Sequence, residues 1–432
     1  MREPGTARHE DVLQTFYTLS VLLTFCLSLT WGVHALYLVN AGLTLQDLFW
    51  VTAFYSASVA AFEIPSGVVA DIFGRRFSFM LSLSALAAGS LLFAAAGVSK
   101  AGPASFAGAS LVMGLGCALY SGAFEAWAVD ALRDSGNPYP LETIFADNSF
   151  YCGAALLVGS ILGGLTATLH MTLPYVLRIA LLIVSLRIAY RKVIDSGFVA
   201  KASGLREFPG EVRKAVRASL YFGWQEHQAR WLLVAAAVQA SFLAWGYHAW
   251  QPYLMGLLGE TAPWISGWIA AAVSLAVMFG NSLVARVYRT CSKRTTLLIY
   301  AAAVLGVSLI GVGVSSFFLP ALVFYLTAMS ALGVYWPVAS AYLHEVTPAQ
   351  YRATVLSSYA AASSGASSMG LGGMGSMMSR YPLDFGYVIG GFVSMAAIPA
   401  LLMLRRLEAK GDRMQESDSR RIVPQTSRID RL

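Results

Sequence analysis

The chain has 432 residues, of which 57% are apolar and only 12% charged, and it carries a net charge of +7. A soluble globular domain has about a quarter of its residues charged, so that class is excluded. The four cysteines form no CxxC or Cys/His cluster, which argues against a bound metal or a disulfide framework.

Taken in order, twelve apolar stretches begin near residues 14, 46, 77, 103, 143, 172, 230, 262, 295, 317, 352 and 385. Each is long enough to cross a bilayer, for which about 20 residues are needed. With the N-terminus placed inside, only Lys100, Arg178 and Arg380 fall on or near the outer side; the other cations fall at inner ends, inner loops and tails. This positive-inside pattern predicts a multi-pass protein of the cell (plasma or inner) membrane with both termini cytoplasmic. It also accounts for the net charge without nucleic acid.

The first stretch, 16–39, is too long for a signal-peptide core and is read as helix 1. It contains Trp31-Gly32-Val33-His34-Ala35, with Gly42 following. The phrase returns as Trp245-Gly246-Tyr247-His248-Ala249, with Gly256 following, at an offset of 214 residues (31 to 245) that also carries Trp50 onto Trp264. A half-length repeat means two similar bundles, with a ligand site at their junction lined by both copies. The expected fold is therefore all-α: two pseudo-symmetric six-helix bundles around a central cavity. The expected divisions are 1–193 for the first bundle, 194–229 for a cytoplasmic linker, 230–405 for the second bundle and 406–432 for a charged, disordered tail. The second part of the linker, ending in Leu220, Tyr221, Phe222 and Trp224, reads equally well as an amphipathic surface helix or as a solvated connection. In helix 11, the small residues from Ser363 to Met378 favour close helix packing over substrate contact.

Between helices 2 and 3 lies Gly67-Val68-Val69-Ala70-Asp71-Ile72-Phe73-Gly74-Arg75-Arg76. The spacing G-x-x-x-D-x-x-G-R-R, within twelve helices in two repeated halves, resembles the loop signature of the major facilitator superfamily. The resemblance covers the whole chain. It implies that this loop forms a charge-and-dipole latch on the inner gate. Asp71 would face the start of helix 11, where free backbone amides favour an anion, and Arg75 would pair with Asp130. Thr347-Pro348-Ala349-Gln350 reads as a capped helix start that would receive Asp71. The second-half counterpart, running through Arg286, Arg289, Lys293 and Arg294, keeps the basic charge but lacks the Asp. The family's helix 4 arginine is absent, Ser110 standing four residues before Gly114. The helix 5 antiporter motif appears as Gly159-Ser160-Ile161-Leu162-Gly163-Gly164, with Ser160 in place of proline.

Ionisable residues at membrane depth are expensive and usually functional. Glu63 lies roughly 12 Å inside helix 2, and Glu125 and Asp147 roughly 7–8 Å inside helices 4 and 5, all toward the inner side. Such carboxylates can exchange a proton as access alternates, although Glu63 also stands ready to serve backbone groups freed by Pro65. The resemblance implies that helices 1 and 7 line the cavity. His34 and His248, with Trp31, Trp245, Tyr247, Trp250 and Gln251, would then form an aromatic, polar rim for substrate; interfacial packing is the plainer reading of the same residues. Two histidines without acidic or Cys company make a poor metal site. The cavity helices 1, 4, 7 and 10 carry no Arg or Lys near their centres, which argues against a carrier of phosphate esters, nitrate or dicarboxylates, and the three acids with many aromatics and methionines favour a neutral or cationic, partly apolar solute. No nucleophile–base set or Walker sequence is present, so neither an enzyme nor an ATP-driven pump is expected, and no cofactor is called for. The reading is a monomeric, proton-coupled secondary transporter exporting small amphipathic compounds. An importer of one defined metabolite is the nearest rival, and a non-transporting sensor on the same fold is the rival of another class.

Overall fold

A computed structural model describes residues 9–195, 207–225, 227–287, 291, 293–347, 352–407 and 412, all in helices and short connections. The first half is built from α1 (His9–Trp31), α2 (His34–Asn40), α3 (Leu45–Phe73), α4 (Arg75–Val98), α5 (Pro103–Asp134), α6 (Leu141–Leu169) and α7 (Leu173–Lys192). After α8 (Phe208–Gln225) come α9 (His227–Leu258), α10 (Pro263–Val287), α11 (Arg294–Val314), α12 (Phe318–Val346), α13 (Arg352–Met377), α14 (Leu383–Met395) and α15 (Ala397–Arg406). Among the described residues, eleven spans are long and apolar enough to cross a membrane, α14 and α15 counting as one. The twelfth, α13, is 26 residues long, but its Ser and Gly dilute its hydropathy.

The end of the bundle that holds Arg75, Asp195 and Arg406 is here called the basic end, and the other the far end. At the far end a single hydrophobic core runs through both halves, joining Tyr37, Phe49 and Phe93 to Trp245, Trp250 and Tyr325. At the basic end there are two separate cores. One is built on Phe16, Phe79, Phe124 and Trp127, the other on Leu232, Leu298, Tyr342 and Leu404. The halves are thus sealed together at one end and part toward the other. They meet along α3–α13 and α6–α10. At the α6–α10 crossing a Cβ on Gly267 would lie 2.8 Å from the Ser160 carbonyl, and one on Gly164 2.8 Å from the Gly267 Cα. Backbone contact of this kind requires glycine. The six-residue variant of the antiporter motif therefore serves as a packing surface, Gly159 and Gly163 facing α1 and Gly164 facing α10.

Helix ends explain much of the remaining local structure. Thr44 and Asp47 form a capping box that starts α3, satisfying two amides that would otherwise lack partners. Gly74, at φ 95°, closes α3 and opens α4 in a backbone region that L side chains avoid. Neither Gly74 nor Lys293 caps the helix after it with a side chain. Each half instead uses an aspartate from its own C-terminal end. Asp195 Oδ1 accepts from the Arg76 amide at 2.9 Å, and Asp412 Oδ1 accepts from the Thr295 amide at 2.8 Å. Both amides occupy the second position of the helix, where a capping oxygen is needed.

The structure bears on four sequence expectations. Helix 1 is not continuous over 16–39: it breaks at Gly32 and Val33 and resumes as α2. The tail expected to be disordered from 406 onward includes Asp412, which is buried because it caps α11. The Thr347 hydroxyl donates to the Leu343 carbonyl at 2.7 Å, within α12, and the amides it was expected to cap lie outside the described residues. The linker does form a helix, α8, beside α3 and α13, although the side chains of 218–226 lie outside the described residues. So do 348–351, where Asp71 was expected to find its partner amides, and 288–290 of the second-half basic loop.

Candidate functional site

The W-G-x-H-A repeat meets itself at the centre of the molecule. Trp31 of α1 stacks on Tyr247 of α9 with centroids 5.2 Å apart, and the His34 and His248 rings lie 6.1 Å apart. His34 Nδ1 is 3.0 Å from the Tyr175 hydroxyl. Because α1 breaks at Gly32, its carbonyl and the first amides of α2 lack partners within their own helix. Gln251 of α9 supplies them. Its side-chain oxygen accepts from the amides of Ala35 at 2.7 Å and Leu36 at 3.2 Å. Its nitrogen donates to the Gly32 carbonyl and to Ser266. A helix start in one half is therefore capped by a side chain of the other.

A cavity opens below this closure as two lobes sharing Tyr247 and His248. The first-half lobe, about 440 Å³, is lined by Thr30, Trp31, His34, Tyr55, Phe93 and Arg178 among others. The second-half lobe, about 520 Å³, is lined by Gln239, Tyr335, Tyr359, Ser363 and Ser367 among others. Both volumes suit a small organic ligand. Gln239 is 2% exposed, and neither end of its amide has a hydrogen-bond partner, nor has the Tyr335 hydroxyl.

The repeat is not symmetric in use. Trp31, His34, Tyr247 and His248 line the cavity. Trp245, expected at the rim with them, is fully buried against Phe49, Phe242 and Tyr387 and belongs to the core. Gln251, likewise expected to meet substrate, is 2% exposed and spent on the closure between halves. Trp50 and Trp264 are on the periphery, 43% and 45% exposed.

The acids are not gathered around the histidines. The Glu63 carboxylate accepts from Ser121 of α5 at 3.1 Å. Glu125 and Asp147 are exposed, in the basic-end parts of α5 and α6. Helical spacing places Glu125 in line with Ser121 and with Cys117, which lines the first lobe. In the loop motif, Arg75 forms an ion pair with Asp130 and also donates to the Ala126 carbonyl. Arg76 turns elsewhere, donating to the Tyr190 carbonyl at 2.8 Å; its contacts stay within the first half and reach no gate partner. Gly67 has open space around it. Among the described residues, no group of three His, Cys, Asp or Glu side chains is arranged to hold a metal.

Sequence reasoning missed Arg178 and Gln239. Counting crossings set Arg178 near a membrane surface; it points into the bundle instead, 4% exposed and lining the cavity. The argument against an anionic solute rested on helices 1, 4, 7 and 10 alone and did not consider the sixth span, α7, which carries Arg178. The signal was present: Tyr175, Arg178, Leu182, Ser185 and Ala189 form one buried helical seam. Gln239 was detectable as a lone amide in an apolar stretch of α9.

Among the described residues, eleven apolar spans and α13, in two halves around a central cavity sealed at one end, define a polytopic membrane carrier fold. The family model described as the Major Facilitator Superfamily matches residues 16–371. The chain belongs to that superfamily, and it is a membrane transporter rather than an enzyme. Among solved structures, it is similar to a nucleoside transporter NupG mutant, with a TM-score of 0.74 at 11% identity, covering 91% of this chain and 99% of that one. It is also similar to an auto-inhibited POT-family peptide transporter (TM-score 0.73, 12% identity, 94% and 98% covered). A third is the inward-open xylose transporter XylE from E. coli (TM-score 0.67, 16% identity, 91% and 95% covered). No curated protein matches the sequence.

Proposed function

We propose that the protein is a proton-coupled secondary transporter that exports a small amphipathic solute by rocking its two halves about the central cavity. The observation that carries this reading is the contrast between one shared core at the far end and two separate cores at the basic end, with the cavity between them. The positive-inside bias makes the basic end cytoplasmic, with both termini inside the cell membrane. The moving units are 1–193 and 230–405, joined by 194–229, and a monomer suffices. In this reading the solute enters from the cytoplasm, and Glu63, Glu125 and Asp147 exchange the driving proton on the same side. A chain reconstituted into vesicles with an imposed pH gradient tests it. Solute should move against the proton flux; movement with the protons would make the protein an importer, and binding without flux would make it a sensor.

Glu125→Gln should lower gradient-driven flux by about an order of magnitude or more, as loss of a proton-exchanging group does, and flatten its pH profile. An unchanged profile would take Glu125 out of the coupling role. In the loop motif, Arg75 and Asp130 hold the turn so that Asp71 can meet the amides at the start of helix 11 when the basic end closes. A charge at a helix N-terminus contributes about 0.3–1 kcal/mol, so Asp71→Asn should slow turnover roughly two- to fivefold while leaving the melting temperature unchanged. Normal turnover in that variant would remove the latch.

A further inference from the structure

We propose that the first-half lobe of the cavity is an anion subsite, built from Arg178 and Trp31, which takes the carboxylate of a small aromatic or otherwise apolar molecule. Arg178 is the sixth residue of α7, roughly 8 Å from the helix end. A side chain of that length at that depth ordinarily snorkels to the surface. This one turns inward. Its Nη1 donates to Thr30 Oγ1 at 2.8 Å, its Nε has no partner, and among the described residues no Asp or Glu pairs with it. The Trp31 indole N–H, lining the same lobe, is also buried without a partner. Guanidinium and indole can only donate. Two donor-only groups with unmet capacity, one of them a buried charge, call for a ligand that brings acceptors and a negative charge.

The walls decide the rest. None of the residues lining the lobe is a carboxylate, and Tyr55, Phe93 and Tyr247 supply aromatic surface. A single guanidinium balances one negative charge, which suits a monocarboxylate better than a phosphate dianion. The second lobe has the unpartnered Gln239 amide and Tyr335 hydroxyl. This assignment rests on reading the cavity as the transport pathway, and it replaces the neutral or cationic solute with an anionic one.

The test uses the full chain in detergent, measuring the ligand-dependent rise in melting temperature with benzoate, phenylacetate and 1-naphthoate, and with benzamide and benzylammonium as neutral and cationic counterparts. At least one carboxylate should bind about tenfold or more tighter than benzamide, the scale of a charge-assisted hydrogen bond. Arg178→Gln should abolish that preference and Arg178→Lys should keep part of it. Equal binding of benzoate and benzamide would overturn the proposal. So would a preference that survives Arg178→Gln, or no stabilisation by any of the three carboxylates up to roughly 10 mM. Should Arg178→Gln fail to fold, Trp31→Phe keeps an aromatic ring but removes the N–H together with the five-membered ring, so its effect is read as the loss for the carboxylate relative to benzamide. It should weaken carboxylate binding roughly three- to tenfold, and unchanged affinity would overturn the proposal equally. Vesicle uptake of the bound carboxylate separates the two claims. Binding without flux removes the transporter reading and leaves the subsite; flux indifferent to Arg178→Gln removes the subsite and leaves the transporter.

Discussion

Replacing Gln251 with Ala is expected to open the far end of the bundle. The wild-type side chain meets four polar groups at once: the Ala35 and Leu36 amides, the Gly32 carbonyl and the Ser266 hydroxyl. The first three belong to the broken helix of the opposite half. Loss of a helix cap costs about 0.5–2 kcal/mol. Here the cost falls only on the state in which the halves touch at this end, because in the other state water can reach the same groups. The substitution should therefore shift the equilibrium toward far-end opening by roughly 2- to 30-fold. Spin labels at Val98 and Val314, 70% and 67% exposed at the far end of the two halves, would report it as a larger population at long distance. An unchanged distance distribution would mean that the shared core and the Trp31–Tyr247 stack close this end without the cap.

The second large effect concerns folding. A Cβ on Gly370 would lie 1.4 Å from the Ser241 carbonyl oxygen and 2.4 Å from its carbon, both in the α9 backbone. No side chain can yield there, so α13 and α9 would have to separate. Overpacking of this kind typically costs about 1–3 kcal/mol, and more when backbone must move. Gly370→Ala should accordingly lower the melting temperature sharply or prevent recovery of folded protein. Gly373→Ala provides the control, since nothing lies within 4 Å of its Cβ position. That change should be neutral or stabilising by up to about 1 kcal/mol, because Ala is the better helix former. Equal melting temperatures for the two variants would contradict the close crossing.

The difference between these two glycines shows what a sequence can and cannot reveal. That the Ser- and Gly-rich stretch packs closely was legible from its composition. Which glycines face α9, which face α3 (Gly372 and Gly375, against Trp50 and Phe49), and which face neither depends on helix rotation, which composition does not encode. Eleven of the spans were legible because a bilayer demands long apolar runs, and the observed starts of these and of α13 fall within a few residues of those expected. The Arg75–Asp130 contact could be anticipated because the loop resembles the signature of the major facilitator superfamily, and that resemblance implies the pairing. Arg178 was misplaced for the opposite reason. Charge counting along the chain gives only depth, whereas the inward turn of the guanidinium follows from the seam it shares with Tyr175 and Leu182. Trp245 and Trp31 occupy equivalent places in the repeat, yet one is core and the other lines the cavity. The break at Gly32 has no counterpart in α9, which runs unbroken through Gly246, and repetition in sequence could not disclose that asymmetry.

The paired caps made by Asp195 and Asp412 bear on how such a molecule can change over generations. Each bundle fastens its own last residues to the start of its own third long helix, so neither relies on the chain between them to hold its ends in place. The connection between the bundles is therefore not needed to hold either cap, although α8 within it packs beside α3 and α13. Changes in that connection outside α8 can therefore leave both caps, and the helix starts they hold, in place.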